Sequence, residues 1–299
     1  MKPHVIAILG PTASGKTAVA EELAQRLDAR IINADAFQVY RGFDIGTAKP
    51  VERSRYDLID ICEPTDAYTA GRFVSQAKAL ISDYERAGRH ALVCGGTGLY
   101  VRALFEGYTG MAPADPELRA ELMRDLNNLG VEAILKREEV SADELSHDLC
   151  RNPQRLLRFL EKRRMPIEPL SEGTAWISER CKFAIHIPRD DLVGRIEARI
   201  RRMVTDGWIE EVRSLLDSGV PIEAPAFRAL GYRAVAEAIL GNISFDEAVQ
   251  KTIIATRQYA KRQFTWLRRE PRLLWVDGQG GTMAVANIIL NKIKAGSNG

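Results

Sequence analysis

Gly10-Pro11-Thr12-Ala13-Ser14-Gly15-Lys16-Thr17 follows directly on the apolar run Val5–Leu9 and leads into a stretch with helical spacing of apolar residues. It fits G-x-x-x-x-G-K-[ST] in the strand, loop and helix context that gives the pattern its meaning. Glycines allow backbone N–H groups to converge on phosphate oxygens, and the helix start adds partial positive charge. Lys16 is placed to neutralise a terminal phosphate and Thr17 to hold Mg²⁺. The motif therefore predicts binding of a di- or triphosphate. It does not distinguish kinases, NTPases and transferases, which share the cradle.

Outward from this loop, the first ~100 residues alternate short β-like runs with amphipathic helices, as in a parallel sheet covered by helices. Strands are expected at Val5–Leu9, Arg30–Asn33, Asp57–Ile61 and Ala91–Cys94, and helices over Gly15–Leu27 and Ala70–Ala87. The fold class is α/β with a P-loop NTPase-like core. From Ala112 the texture changes, because Pro113 and Pro116 punctuate the chain and strand signals vanish until Phe183–Ile187. Helices are expected near Glu117–Leu129, Val131–Glu138 and Pro153–Arg163. We read residues 112–182 as a helical insertion, and 1–111 with 183–299 as the catalytic core. In the second half, Ile196, Ile200 and Met203 form the apolar stripe of a helix over Leu192–Val204. Ser244-Phe-Asp-Glu247 is a capping box opening a helix that runs to Leu267. Leu273–Val276 reads as a last strand and Thr282–Ala295 as a last helix, with the final Gly-Ser-Asn-Gly disordered.

The chain has 299 residues, 45% hydrophobic and 27% charged, ample for a core without covalent staples. Its four cysteines, Cys62, Cys94, Cys150 and Cys181, lack zinc-ligand spacing, so free thiols in a reducing compartment are expected. His4, His90, His147 and His186 show no triad or ligand spacing. No apolar run approaches the ~20 residues that span a bilayer, and no signal peptide is evident. The expectation is a soluble cytoplasmic monomer without a membrane partner. Formal net charge is only +2, yet Arg151, Arg155, Arg158, Lys162, Arg163 and Arg164 meet a single acid, Glu161. Arg257, Lys261, Arg262, Arg268 and Arg269 form a second basic group. Such clusters suit a phosphate backbone, although a solvated helix face has the same composition.

P-loop ATPases and GTPases usually carry an apolar strand ending in Asp, whereas Ala91–Cys94 runs into Gly95-Gly96-Thr97-Gly98. The nearest acid after a strand is Asp35, placed by sheet topology at the carboxyl edge where α/β folds bind ligands. An acid there is also a common turn former.

Specific text surrounds these positions. The P-loop, Asp35-Ala-Phe-Gln-Val-Tyr-Arg-Gly-Phe-Asp-Ile-Gly-Thr-Ala-Lys-Pro50, Gly95–Tyr100, Asn152-Pro-Gln-Arg-Leu-Leu-Arg158, Ala229-Leu-Gly-Tyr-Arg233 and Ala255–Trp266 together resemble the tRNA dimethylallyltransferase family, in order and over nearly the whole chain. The resemblance implies transfer of a dimethylallyl group from dimethylallyl diphosphate to N6 of adenosine 37, in tRNAs reading codons that begin with U. It places the diphosphate against Thr12–Thr17 with Mg²⁺ bridging, makes Asp35 the general base, sets Thr97 beside the reacting groups and directs Arg199 at the diphosphate. It assigns tRNA contact to Asp35, Ala36, Phe37, Gln38, Thr97 and Arg119. It adds Gln154, Arg155, Leu156, Leu157 and Arg158, then Arg228, Ala229, Leu230, Gly231, Tyr232 and Arg233. Ala36 departs from the serine usual in the family, which removes one hydroxyl contact near the base. Two other activities are compatible with the P-loop: prenyl transfer to free AMP, which has little use for a helical insertion, and a small-molecule kinase, which needs ATP and an acceptor lid.

Overall fold

The computed structural model describes residues 5–107, 116–144, 150, 152–164 and 180–296. The chain divides into two compact units, one comprising 1–105 and 177–299 and the other 106–176. The first unit is built on a six-stranded, all-parallel sheet in the order β3-β2-β4-β1-β5-β6, where β1 is Val5–Leu9, β2 Arg30–Asn33, β3 Tyr56–Asp57, β4 Ala91–Gly95, β5 Arg180–His186 and β6 Leu273–Asp277. Every residue of β1 and β4 is buried, which explains why these strands read as continuous apolar runs rather than alternating ones.

The helices of this unit are α1 (Lys16–Leu27), α2 (Ala70–Arg86), α3 (Gly98–Phe105), α6 (Arg189–Thr205), α7 (Trp208–Asp217), α8 (Tyr232–Ile239), α9 (Phe245–Leu267) and α10 (Gly281–Gly296). α9 packs against α3, α6 and α8, and so ties the second half of the chain to the loop after β4. Its start is capped by Ser244, whose hydroxyl accepts from Glu247 N.

The second unit contains α4 (Pro116–Arg137) and α5 (Pro153–Arg164), packed through Leu122, Leu126, Ile134, Leu135, Leu156, Leu157 and Leu160. Within α4 the two helices expected over 117–129 and 131–138 are separate segments, broken at Gly130, whose φ of 79° and ψ of 172° are not helical. Buried Glu161 anchors Arg119 and Arg158, each at 2.6 Å. Arg151 and the last three residues, 297–299, lie outside the described residues.

The strand expected over 57–61 shrinks to Tyr56–Asp57. Leu58 and Asp60 adopt φ values of 64° and 55°, and the left-handed backbone ends pairing with β2. Helices α3, α7 and α8 were not anticipated. In α3, Tyr100, Val101, Ala103, Leu104 and Phe105 are all buried, so no single apolar stripe marks it. No helix among the described residues is long and apolar enough to cross a membrane. None of the four cysteines forms a disulfide; Cys62 and Cys94 are buried, Cys150 and Cys181 half-buried.

Candidate active site

Strand register brings three loops to one edge of the sheet. Leu9 of β1 pairs with Gly95 of β4, and Asn33 of β2 pairs with Cys94, so residues 10–17, 34–38 and 95–97 leave the sheet side by side. The connection from β1 runs toward β2 and that from β4 toward β5, which makes this edge the topological switch point where α/β folds bind ligands. A cleft of about 1210 Å³ opens there, lined among others by Thr12, Lys16, Thr17, Asp35, Arg199 and Tyr259.

On the phosphate side, Gly15 ends the loop at φ 86°, a conformation that favours glycine, and α1 begins at Lys16. Lys16 Nζ donates to Pro11 O at 3.3 Å. Burial holds the Lys16 ammonium below its ordinary value of 10.5; Arg199 adds to the depression, while Cys94 and Asp35 oppose it. Arg199 projects from α6 and donates to Thr12 Oγ1 at 3.4 Å. Burial weakens its hold on its proton, and Asp35 counters that; a guanidinium nonetheless stays cationic. Buried Ser14 Oγ has no hydrogen-bond partner among the described residues, which leaves an unsatisfied hydroxyl inside a loop shaped for phosphate.

On the opposite side, Asp35 Oδ1 accepts from Phe37 N at 2.9 Å and from Gln38 N at 3.4 Å. The carboxylate thus forms its own turn, as an acid after a strand commonly does, with both bonds on one oxygen. Thr97 Oγ1 accepts from Ala36 N at 3.1 Å, and Thr97 N donates to Ala34 O at 3.3 Å. Gly95 permits this approach, because a Cβ there would lie 2.2 Å from Ala34 O. The Tyr259 hydroxyl donates to Gly96 O at 3.4 Å, and burial together with the Asp35 charge raises its pKa, so it remains a proton donor.

Asp44 to Pro50 fold into a knot behind this turn. Buried Lys49 donates to Asp44 at 2.7 Å and also to Asp60 and to Tyr40 O. Glu211 of α7 accepts from Asp44 N at 2.9 Å, Ile45 N at 2.7 Å and Gly46 N at 3.4 Å, and from the Tyr232 hydroxyl at 2.6 Å. Gln38 Nε2 in turn donates to Thr47 O and Ala48 O. Glu211, Lys49, Tyr259 and Gln263 were not anticipated as site residues. A readable signal existed for one of them: Thr252, Thr256 and Gln263 form a polar stripe at helical spacing on the buried face of α9.

The remaining expected residues divide by exposure. Arg228 and Arg233 are exposed and Leu230 and Gly231 half-buried, while Ala229 and Tyr232 sit in the core. Of the segment 154–158, Arg155 is exposed and Leu156 and Leu157 are fully buried, packing α5 against α4; the side chain of Gln154 lies outside the described residues. The leucines thus present their neighbours rather than any surface of their own. Phe37 and Gln38 are half-buried on the rim of the cleft.

A parallel sheet with a glycine-lysine phosphate cradle, and with Gly95-Gly96-Thr97 in place of a strand-end acid, defines a P-loop-type α/β protein distinct from the ATPases and GTPases. The chain belongs to the IPP transferase family, whose model matches residues 38–270. A model described as isopentenyl transferase matches residues 3–57. A tRNA dimethylallyltransferase of Geobacter metallireducens is 38% identical over 97% of both chains, and one of Thermomicrobium roseum is 40% identical over 91% of this chain and 86% of its own. The tRNA isopentenylpyrophosphate transferase of Bacillus halodurans superposes with a TM-score of 0.72 at 31% identity, covering 100% of this chain and 99% of that one. A eukaryotic dimethylallyltransferase acting on tRNA shares the fold, with a TM-score of 0.76 at 20% identity, over 92% of this chain and 74% of its own.

Proposed function

We propose that this protein transfers a dimethylallyl group from dimethylallyl diphosphate to N6 of an adenine in tRNA, at position 37 beside the anticodon. The observation that carries the reading is one cleft with a cationic wall, Lys16 and Arg199, on the P-loop side and a carboxylate, Asp35, beside Thr97 on the other. Relatives named tRNA dimethylallyltransferase over almost the full length support it.

In the reaction the N6 lone pair forms a bond to C1 of the dimethylallyl group while the C1–O bond breaks and its electron pair leaves on diphosphate. An exocyclic amine is a weak nucleophile, so stabilising the leaving group is the main lever. The amides of residues 13–17, Lys16 and Arg199 meet the charge that grows on diphosphate, each contact contributing a few kcal/mol in a preorganised site. Asp35 accepts the N6 proton through the oxygen its own turn leaves free, a role typically worth ~10²–10⁴-fold. Thr97, whose hydroxyl accepts from Ala36 N, fixes the backbone beside that carboxylate.

Among the described residues no cluster of three acidic, His or Cys side chains could cage a metal. The Thr17 hydroxyl would be the protein ligand of a Mg²⁺ ion that arrives with the diphosphate. Such an ion would offset charge on the leaving group. The adenine must leave the anticodon-loop stack, at a cost of a few kcal/mol. Exposed Arg155, Arg228 and Arg233 offer backbone contacts to offset it, and Phe37 offers a face for stacking. The helical unit 106–176 is the tRNA-binding unit in this reading.

The test is transfer of radiolabel from dimethylallyl diphosphate with Mg²⁺ to unmodified tRNA, with AMP as competing acceptor and ATP turnover measured separately. Label in tRNA supports the proposal. Label in AMP alone, or ATP turnover without tRNA, overturns it.

A further inference from the structure

Gln263 lies on the buried face of α9 with 2% of its surface exposed, yet both ends of its amide reach the site. Oε1 accepts from Thr12 N at 2.8 Å, and Nε2 donates to Gly96 O at 3.0 Å. Each partner leads to one half of the reaction. The Thr12 hydroxyl holds Arg199, on the diphosphate side. Gly96 precedes Thr97, which holds Ala36 and with it the turn of Asp35. Position 96 accommodates this amide only as glycine, because a Cβ there would lie 2.2 Å from Gln263 Nε2. One turn earlier on the same helix, the Tyr259 hydroxyl also donates to Gly96 O, at 3.4 Å. The Thr12 amide is therefore committed to Gln263 and does not belong to the set that faces phosphate.

We propose that Gln263 is a positioning residue that sets the distance between the diphosphate cradle and the acceptor loop, by bridging Thr12 and Gly96 with one planar amide. This rests on the transferase reading of the same cleft. A primary amide suits the task because it donates at one end and accepts at the other without a net charge next to a diphosphate. A negative charge at this point would oppose the leaving group; an apolar side chain would leave Thr12 N–H and Gly96 C=O buried and unpaired. Either change lets the two halves drift, and misplacement by about 1 Å costs on the order of 10²-fold in rate.

The experiment measures single-turnover transfer to tRNA and steady-state KM for both substrates, at a temperature where all proteins are folded. Gln263→Met keeps the length and loses both bonds. The expected result is a single-turnover rate lower by about 10²-fold, with the KM values changed far less. Gln263→Glu supplies the second readout. When protonated, the new carboxyl accepts from Thr12 N–H and donates its O–H to Gly96 O, as the amide does. When ionised it repels the Gly96 carbonyl and the diphosphate. Burial raises the pKa of such a carboxyl, so the ratio of variant to wild-type rate should climb as pH falls toward and below neutrality. A ratio that stays flat with pH, or a Gln263→Met rate near that of wild type, overturns the proposal. If Gln263→Met does not fold, the Gln263→Glu ratio decides alone. Failure of the underlying reading looks different: the wild type itself would transfer nothing to tRNA, which overturns both.

Discussion

Replacing Glu211 by Ala removes a carboxylate that gathers four donors. The Asp44 and Ile45 amides, at 2.9 and 2.7 Å, make charge-assisted bonds, whereas Gly46 N at 3.4 Å is at the limit of hydrogen-bond range. Glu211 is half-buried, so each good amide bond is taken at the low end of its range, about 1.5 kcal/mol. The buried Tyr232 hydroxyl, 2.6 Å away, loses its acceptor at a cost of about 1 kcal/mol. Together these give about 4 kcal/mol for Glu211→Ala. Glu211→Gln keeps one acceptor oxygen without the charge and should cost about half as much, because charge-assisted bonds are roughly twice as strong as neutral ones. For a chain of this size the midpoint falls by about 2 °C per kcal/mol, hence by about 8 °C and 4 °C respectively. Thermal unfolding followed by circular dichroism measures both. Glu211→Ala should also loosen Thr47 and Ala48, the carbonyl partners of Gln38, and raise KM for tRNA when assayed well below the midpoint. A loss below about 1 kcal/mol for Glu211→Ala, or equal losses for the two variants, would refute the reasoning.

Other outcomes follow from the same geometry. Asp35→Asn keeps the side-chain oxygen that accepts from Phe37 and Gln38 but cannot take a proton; kcat should fall ~10²–10⁴-fold with the fold intact, checked by single-turnover transfer and circular dichroism. Burial lowers the pKa of Lys16 below 10.5, so the free enzyme loses this charge at a lower pH than an ordinary lysine would. Accordingly kcat/KM for dimethylallyl diphosphate should decline on the alkaline side beginning below pH 10.5, and Lys16→Arg should flatten that limb; a pH profile of both enzymes checks this. Gly46→Ala would place a Cβ 2.1 Å from Trp208 Nε1 and 2.6 Å from Tyr232, and should cost about 1–3 kcal/mol by overpacking, read from urea unfolding.

The part of the site that could be read from sequence is the part made by local chain. The P-loop announces itself because an apolar strand, two glycines and a lysine are contiguous, and Ser244 caps α9 through a neighbour three residues on. Asp35 and Thr97 stand after buried strands, but periodicity alone left Asp35 as an ordinary turn former; family text singled both out. The turn is real, and it coexists with a place in the cleft. Gln263 and Glu211 escaped because their partners lie far away in the chain: Thr12 is 251 residues from Gln263, and Ile45 is 166 from Glu211. No spacing rule connects such pairs; only the packing of α9 and α7 onto the loops does. In the segment 154–158 a motif of five residues proves to be of mixed use, with Arg155 outward and Leu156 and Leu157 in the core. The motif Asp44-Ile-Gly-Thr-Ala-Lys49 likewise marks a buried ionic knot around Lys49, a stiff backing for Gln38 more than a set of reacting groups.

The most direct measurement is to react the protein with dimethylallyl diphosphate and an unmodified tRNA, digest the product to nucleosides and identify the modified one by mass spectrometry. A single new nucleoside is expected, adenosine carrying one dimethylallyl group on N6, mapped to position 37 and formed ~10²–10⁴-fold more slowly when Asp35→Ala replaces the wild type. Prenylation of another atom or position, or modification by Asp35→Ala at the wild-type rate, would contradict this expectation.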